Sequence, residues 1–323
     1  MTRLWTSAAG RRALVTGATG MVGQALAAQL GSEVVATTRG LARPIAHTSE
    51  VVTWDGDGPL PAAALREVDA VFHLAGEPVV DGRWDTAKKD RILLSRVDST
   101  RALVRAFADA APSARPRVLV CASAVGIYGS RGDELLTEDS PAAAGFLADV
   151  CRAWEEEAGK ARELGVRVVS LRIGIVLATQ GGALAKMLPL FRLGLGGRLG
   201  DGQQWMPWIH LGDIVGLLRF AAARDDVSGP MNAAAPELVD NATFTRALGA
   251  ALHRHALLPA PAFALRVALG EAASVVLASQ RVVPERASRA GYRFAHPTLA
   301  GALADLLPGD EARSAASAGA RTP

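Results

Sequence analysis

Short apolar runs alternate with amphipathic stretches through the first half of the chain. Six runs are typical of buried strands, at 12–16, 33–38, 51–54, 70–74, 117–122 and 166–171. Between them the apolar positions recur with a period near 3.6, which predicts helices over 21–30, 86–111 and 146–164. This alternation predicts βαβ units around a parallel sheet.

The alternation of predicted strands and helices ends near residue 180, and helical patterns dominate the rest of the chain. Helices are predicted over 181–193, 211–223, 241–252, about 261–278 and 298–307, with a short strand at 231–233. A glycine-rich loop runs from Gly194 to Gly202. We therefore expect a smaller, mostly helical C-terminal lobe over the carboxyl edge of the sheet. Residues 309–323 are low in hydrophobicity, which predicts a disordered tail.

Composition narrows the class of protein. The chain has 323 residues, half of them apolar, which suffices for one large domain or two that share a core. Its formal net charge of +3 comes without a basic run, so no nucleic-acid partner is expected. Two cysteines form neither a disulfide framework nor a four-ligand metal site, and no metal is predicted.

Targeting signals are also not evident in the sequence. Residues 1–12 lack the apolar core of a signal peptide. Arg266 and Glu271 interrupt the longest apolar stretch, so it reads as a buried or amphipathic helix rather than a membrane span. We expect a cytoplasmic protein with no membrane partner.

The strongest motif is a glycine turn between the first strand and the first helix. Gly17, Gly20 and Gly23 stand in the spacing GxxGxxG, directly after the strand. Gly17 permits a tight turn, Gly20 lets the backbone approach a pyrophosphate, and Gly23 lets the helix pack on the strand. Free N–H groups and the helix dipole then favour an anion. An ordinary glycine-rich turn is the alternative, but the flanking strand and helix favour dinucleotide binding.

The end of the second strand distinguishes two cofactors. An acidic residue there would bind the ribose 2′-hydroxyl of NAD, whereas a basic residue suits the 2′-phosphate of NADP. The strand ends in Thr37, Thr38 and Arg39, without an acid. The pattern favours NADP (NADPH), with a solvated loop arginine as the alternative reading of Arg39.

Several stretches together carry a family resemblance. They are TGATGMVG (16–23), HLAGEP (73–78), GRWDTAKKDRILLSRVDST (82–100), SAVGIYG (123–129), FLADVCRAWE (146–155), GGALAKMLPLFRLGLGGRLGDGQQWMPWIH (181–210, including the WIHLGDI that continues to 214) and LASQRVVPERASRAGYRF (277–294). The chain resembles the extended short-chain dehydrogenase/reductase superfamily, and within it an atypical branch labelled the "epimerase family" (NAD-dependent epimerase/dehydratase-like proteins). The likeness spans about residues 11–307.

The resemblance implies an α/β fold, a Rossmann-type doubly wound parallel sheet with a smaller C-terminal substrate lobe. It implies an NADP-binding domain over 11–180, to which 208–235 return, and a substrate lobe over 181–207 and 236–308. Cofactor contacts carried over from the family are Gly17, Thr19, Gly20, Met21, Val22 and Arg39, with Leu74, Ala75 and Gly76 beside the nicotinamide-side ribose.

The superfamily's catalytic pair is missing. That chemistry uses a tyrosine acid/base and a lysine four residues later, which lowers the tyrosine pKa. Leu147 and Cys151 occupy those two positions, and no YxxxK occurs anywhere in the chain. Cys151 is read as a buried residue of its helix rather than a nucleophile.

Three residues remain as catalytic candidates. Ser123 stands at the end of the fifth strand, where the family's substrate-orienting serine lies. Tyr128 follows close by, with a packing aromatic as the alternative, and Glu138 precedes the next helix, with a solvated acid or helix cap as the alternative. We expect these groups or a water to handle the proton.

The substrate side departs from sugar-nucleotide epimerases as well. Met206 stands where those enzymes carry a diphosphate-binding arginine, and Trp205 precedes it, which favours a flatter, more apolar ligand or a packed lid. Arg96 could bind an anionic substrate or belong to a polar helix face, and His210 is expected to support its loop.

Two functions stay open at this stage. The first is an NADP(H)-dependent oxidoreductase or epimerase-like enzyme that acts on a small molecule other than a sugar nucleotide. The second is a non-catalytic NADP(H)-binding sensor or regulatory protein. The oligomeric state is also open, with a homodimer as one option.

Overall fold

A computed structural model describes residues 4–7, 11–40 and 43–308. The predicted disordered tail, 309–323, lies outside the described residues. The strands are β1 (Arg12–Thr16), β2 (Val34–Thr38), β3 (Glu50–Thr53), β4 (Val68–His73), β5 (Val118–Ala124), β6 (Leu135–Leu136), β7 (Arg167–Ile173), β8 (Ile175–Leu177), β9 (Trp208–His210), β10 (Gly229–Ala233) and β11 (Arg281–Val282).

Helices follow most of the strands. They are α1 (Met21–Leu30), α2 (Thr86–Asp109), α3 (Phe146–Gly159), α4 (Gly182–Arg192), α5 (Leu211–Ala223), α6 (Asn241–Ala251), α7 (Ala262–Leu269), α8 (Ala273–Leu277), α9 (Glu285–Arg289) and α10 (Leu299–Leu306). Asp85 caps α2 by accepting a hydrogen bond from the Lys88 N–H, and Asp240 caps α6 in the same way.

Seven strands form one parallel sheet in the order β3-β2-β1-β4-β5-β7-β10. The chain winds outward from β1 to β3, then crosses to β4 and winds the other way. Between β1 and β4 the strand order reverses, and in open α/β sheets ligands bind in the crevice at that point. The predicted Rossmann-type α/β fold is confirmed.

Both faces of the sheet are buried. On one face α1 and α5 pack on the strands through residues such as Leu26 and Leu217, and on the other α2 and α3 pack through Leu103 and Trp154. Each fully buried side chain of this size stabilises the fold by about 1.5–3 kcal/mol. These two layers hold the strand ends, and the loops that follow them, in place.

A third apolar cluster lies in the C-terminal half. It joins β8, β9, α4, α6 and α10 through Trp208, Phe244 and Leu303, among others. β8 continues from β7 after Gly174, where a side chain would come within 2.3 Å of the Pro207 carbonyl oxygen. The sheet and this cluster are therefore packed tightly together at β7.

The structure differs from the sequence prediction in short elements. The stretch predicted as one helix over 261–278 is broken at Gly270, whose φ of 60° ends α7 before α8 begins. The pairs β8–β9 and β6–β11 were not predicted, since strands of two or three residues show no periodicity. Among the described helices none is long and apolar enough to cross a membrane.

Candidate functional site

The glycine turn after β1 packs directly against the loop after β4. Gly17 has a φ of 71°, and a side chain on it would lie 2.9 Å from the Ala75 nitrogen and the Leu74 carbonyl. A side chain on Gly23 would lie only 2.2 Å from the Gly17 carbonyl oxygen. Both positions therefore require glycine. Gly17 is required for its left-handed backbone conformation and because a side chain would clash, and Gly23 because a side chain would clash.

The start of α1 offers unbonded backbone donors. Gly20 takes the cap position without a side-chain hydrogen bond, and the first turn contains no acidic residue. Thr19 and Gly20 are exposed, while Met21 and Val22 are half-buried. A helix start of this kind favours a phosphate. The residues present therefore fit the pyrophosphate of a dinucleotide.

A buried polar chain fixes the two strand ends that flank the crevice. The Thr16 hydroxyl accepts hydrogen bonds from the Leu74 and Ala75 N–H groups at 3.2 and 3.3 Å, so its own proton goes to His73 Nδ1 at 2.7 Å. His73 therefore carries its proton on Nε2, which faces the Ser99 hydroxyl at 3.1 Å. The neutral imidazole ties β1, β4 and α2 together.

His73 gives stability a specific pH dependence. Burial, with Arg96 as a smaller cause, lowers the pKa of His73 from 6.5 to about 4. Between these values the unfolded chain binds a proton that the native state does not. The free energy of unfolding should therefore fall as the pH drops below about 6.5, by up to ~1.4 kcal/mol per pH unit from this group. Denaturant unfolding measured at several pH values across that range should show that the free energy of unfolding depends less steeply on pH in His73→Gln than in the parent protein. Equal slopes for the parent and His73→Gln would contradict the assignment.

The crevice walls carry opposite charges. Arg39 is exposed just after β2. Glu77, after β4, has its pKa lowered by a hydrogen bond from Lys88 at 2.7 Å, with Arg91 and Arg39 as further cations. Leu74 and Ala75 are half-buried and Gly76 is exposed. The predicted cofactor residues thus lie along one crevice, with Arg39 close enough to Glu77 to lower its pKa.

Arg96 lies on the inner side of α2. Its guanidinium group donates to the Ile92 and Glu77 carbonyls at 2.9 and 3.1 Å and stacks 5.1 Å from the Trp154 ring. A side chain on Gly76 would come within 3.1 Å of it. Arg96 thus supports the backbone after β4, and its role toward a substrate stays a prediction.

A row of polar side chains crosses three neighbouring strands near their carboxyl ends. Ser123 on β5 pairs in register with Arg172 on β7, which pairs with Asn232 on β10. Glu155 reaches the row from α3 and binds Arg172 through two contacts of 2.9 Å. The Ser123 hydroxyl donates to the same carboxylate at 2.7 Å. The serine therefore faces a charged, hydrogen-bonded acceptor.

Tyr128 and Glu138 belong to the same network. Tyr128 is fully buried; its hydroxyl donates to Asn232 Oδ1 at 2.7 Å and accepts from Arg172 at 2.9 Å. Glu138 accepts from the Asn232 and Arg286 N–H groups, while its other oxygen is buried without a partner. Burial raises the pKa of both Tyr128 and Glu138. The structure brings all three catalytic candidates together; their catalytic roles stay predictions.

The positions of the missing pair are apolar in character. Leu147 lies against Gly126, and Cys151 is buried in one apolar cluster with Val125 and Tyr128. Burial, with Glu155 as a smaller cause, raises the pKa of the Cys151 thiol to about 11. A neutral thiol in such surroundings is a poor nucleophile.

Trp205 and Met206 lie on the segment that enters β9. The Trp205 indole donates to Asp133 at 2.7 Å, and its carbonyl accepts from Gln280, whose side chain donates to Val125 beyond Ser123. Met206 packs on the C-terminal cluster and accepts from Asn241 through its sulfur at 3.1 Å. Their predicted substrate role is not tested by these contacts.

One group of side chains has the composition of a metal site. A nitrogen each of His210 and His296 and an oxygen of Asp305 lie within 4.8 Å of one another. However, His210 Nδ1 accepts from the Gly212 N–H at 3.0 Å, so the neutral ring carries its proton on Nε2, facing Asp305 at 3.2 Å. This tautomer leaves no lone pair for a cation, and His210 caps α5 instead.

Sequence reasoning missed Glu155, Arg172 and His73. Arg172 stands inside the apolar run SLRIGIV, and a charged residue in such a run signals a buried ion pair, since a lone buried charge is too costly. The partner of Arg172 could not be named from the sequence, because α3 carries Glu155, Glu156 and Glu157 in succession.

Comparisons with known proteins agree with this geometry. Residues 13–234 match the NAD dependent epimerase/dehydratase family, and residues 260–306 match a domain of unknown function (DUF1731). The chain is 41% identical over 290 residues to an "Epimerase family protein" of Mycobacterium bovis, covering 90% of this chain and 95% of that protein.

Solved structures are similar as well, and two of them serve as examples. A crystal structure of human epimerase family protein SDR39U1 with NADPH has a TM-score of 0.82 at 34% identity, covering 92% of this chain and 99% of that one. A nucleoside-diphosphate sugar epimerase from Corynebacterium glutamicum has a TM-score of 0.74 at 33% identity, covering 98% of this chain and 63% of that one.

Proposed function

This chain belongs to the NAD-dependent epimerase/dehydratase family, and we propose that it is an NADP(H)-dependent oxidoreductase or epimerase-like enzyme. Its substrate is a small molecule other than a sugar nucleotide. The observation that carries the proposal is the crevice at the reversal of strand order, where the turn at Gly17 packs on the loop after β4. The same proposal assigns cofactor binding to residues 11–180 together with 208–235. It assigns substrate binding to residues 181–207 together with 236–308.

The cofactor contacts come from the residues that line this crevice. The amides of Thr19, Met21 and Val22 would hold the pyrophosphate, since the start of α1 is uncapped. The Gly20 N–H donates to the Gly17 carbonyl at 3.0 Å, and Gly20 would instead let the backbone approach the pyrophosphate. Leu74, Ala75 and Gly76 would border the nicotinamide ribose. When bound, the nicotinamide supplies a hydride acceptor or donor. Human SDR39U1, which was crystallised with NADPH, supports the choice of NADP.

Arg39 should set the preference for NADPH over NADH. A guanidinium group makes a charge-assisted, forked contact with a 2′-phosphate, and no acid follows β2 to favour a ribose hydroxyl. Arg39→Ala should weaken NADPH binding about tenfold, or ~1.4 kcal/mol, and leave NADH binding unchanged. Fluorescence titration with each nucleotide measures this. Arg43→Ala, an exposed arginine of the next loop, is the matched control, and equal weakening of both nucleotides by Arg39→Ala would exclude a 2′-phosphate contact.

The proton is handled, in this proposal, by Ser123 with Glu155. The serine hydroxyl donates to the Glu155 carboxylate, which Arg172 binds through two hydrogen bonds. A proton can therefore pass between Ser123 and Glu155 without movement of either side chain. Tyr128 and Glu138 hold Arg172 and Asn232 in place. Ser123 thus takes the reacting position in an enzyme that lacks the tyrosine and lysine.

A non-catalytic sensor is the second candidate. The burial of Ser123, Tyr128 and Cys151 favours it, because none of these side chains is exposed to solvent in this structure and the Cys151 thiol is neutral. The two functions differ in hydride transfer. A panel of carbonyl compounds, none of which oxidises bound NADPH, would support the sensor, whereas a turnover that Ser123→Ala abolishes would support the enzyme.

A substrate without a diphosphate fits the segment before β9. Met206 is held by Asn241 and the C-terminal cluster, and it offers no cation for a diphosphate. Measured turnover of a sugar nucleotide would overturn this part of the proposal.

A further inference from the structure

Three adjacent segments of the C-terminal half expose large apolar side chains. Two of the segments are joined because the Leu258 N–H donates to the Gly196 carbonyl and the Ala260 N–H to the Arg198 carbonyl. Pro261 then leads directly into α7. These side chains are 51–76% exposed, and we call them the α7 patch: Leu190, Leu193, Leu195, Leu257, Leu258, Phe263 and Val267.

α7 is an apolar helix without a buried residue. Its sequence AFALRVAL contains one polar side chain, that of Arg266, and none of its eight residues is buried. An isolated helix of this length is unstable in water, because helices gain most of their stability by packing an apolar face. A contiguous apolar surface left exposed in this way marks a site of contact with a protein or a membrane.

The charged residues of the segments that form the α7 patch are all basic. Residues 164–200 and 241–270, which contain the patch, include no aspartate or glutamate. The Arg254 guanidinium donates to the Arg192 carbonyl at 3.1 Å, which holds the two segments together beside the patch. A second copy of the chain would bring like charges into contact, so charge complementarity selects an anionic occupant. The exposed arginines next to the patch are Arg192, Arg198, Arg254 and Arg266.

The middle of the α7 patch offers no hydrogen-bonding side chain. Residues 256–265 (ALLPAPAFAL) are apolar throughout, and Arg254 and Arg266 stand just outside this stretch. A protein interface carries about one hydrogen bond per 100–200 Å², and the side chains of this stretch cannot make one. The acyl region of a bilayer requires none, while long arginine side chains at its edge reach the headgroups. An anionic lipid surface therefore fits the patch better than an acidic protein does.

We propose that the α7 patch binds the surface of an anionic lipid bilayer. Phe263 and Val267 lie four residues apart on one face of α7, so both enter the acyl boundary when the helix lies along the bilayer. The surrounding arginines then contact lipid phosphate groups. The sequence-based expectation of no membrane partner considered only a membrane-spanning stretch and a signal peptide. Surface binding depends instead on which face of α7 the fold leaves exposed.

Cosedimentation of the full chain with lipid vesicles tests the proposal. One vesicle preparation contains two parts phosphatidylcholine to one part phosphatidylserine, and the other contains phosphatidylcholine alone. The protein should bind the phosphatidylserine vesicles at least about tenfold more tightly, and added salt should weaken that binding.

Two double substitutions separate the apolar from the electrostatic contribution. Phe263→Glu with Val267→Glu should weaken binding to the phosphatidylserine vesicles about tenfold or more. Both side chains are 70–71% exposed, so the variant should fold, and its circular dichroism should match the parent. Arg254→Ser with Arg266→Ser should weaken binding to a similar extent and remove most of the salt dependence.

Each variant has a matched control outside the α7 patch. Leu94→Glu with Leu135→Glu adds the same charge at two side chains that are 49% exposed. Arg66→Ser with Arg105→Ser removes two other exposed arginines. Both controls should bind the phosphatidylserine vesicles within about twofold of the parent.

Several results would overturn the proposal. They are no binding to either vesicle, equal binding to both, and patch variants that bind no more weakly than their controls. Protein that leaves the vesicles in the supernatant but binds polyglutamate would assign the α7 patch to an acidic protein. A dimer without vesicle binding, dissociated by Phe263→Glu with Val267→Glu, would assign it to a second copy.

Discussion

Gly17→Ala should abolish tight NADPH binding. The new methyl group would lie 2.9 Å from the backbone of Leu74 and Ala75, in a left-handed conformation that alanine disfavours. The turn must move away from the loop after β4, which would displace the amides that we propose bind the pyrophosphate. The loss of two charge-assisted contacts of about 1.5 kcal/mol each weakens NADPH binding on the order of 100-fold. The free energy of unfolding should also fall, by about 3 kcal/mol.

Gly82→Ala separates the two causes of this effect. Gly82 has a similar φ of 82°, but a side chain there meets nothing within 4 Å. That variant should lose only the smaller cost of the left-handed conformation, about 1 kcal/mol, and keep NADPH binding. Isothermal calorimetry measures NADPH binding by each variant, and denaturant unfolding measures its stability. Together the two measurements separate the effect of the clash from that of the backbone conformation. NADPH binding by Gly17→Ala at parent affinity would contradict the placement of the cofactor.

Arg172→Met should cause the largest loss of stability in the sheet. The substitution leaves the Glu155 carboxylate with its charge unpaired at 16% side-chain exposure, and it removes a donor from Tyr128. Breaking a buried pair from one side costs about 3–5 kcal/mol, since the remaining charge stays desolvated. Denaturant unfolding of the variant at neutral pH measures that cost.

Arg131→Met is the control for Arg172→Met. Arg131 also makes two contacts to one carboxylate, that of Glu134, but near the surface and three residues away in sequence. Solvent screens that pair, so its loss should cost at most ~1 kcal/mol. Equal losses in the two variants would mean that the network around Ser123 does not contribute to stability as described.

The sheet was predictable because its signals are local. Each strand from β1 to β5 is an apolar run next to a glycine or a helix start, and GxxGxxG places the cofactor turn on β1. The family assignment, from stretches such as FLADVCRAWE, is confirmed over residues 13–234. The fold class followed from these patterns together.

The network around Ser123 was not predictable in the same way. Ser123, Arg172 and Asn232 are adjacent only because β5, β7 and β10 pair in one register, and strand register is a long-range property. Glu155 joins them from α3, across 32 residues from Ser123. The sequence indicated Ser123, Tyr128 and Glu138 one by one. Only the folded chain shows that Tyr128 and Glu138 share hydrogen bonds with Arg172 and Asn232. Ser123 is joined to them through Glu155.

A crystal structure of the full chain with NADPH tests the central claim most directly. We expect the pyrophosphate at the amides of Thr19, Met21 and Val22 and the 2′-phosphate at Arg39. We also expect Ser123 Oγ close enough to the nicotinamide for a hydrogen bond of about 3 Å to a substrate bound beside it. If Ser123 and Tyr128 both lie more than ~10 Å from the nicotinamide C4, far beyond hydrogen-bond reach, the proposed proton handling is wrong.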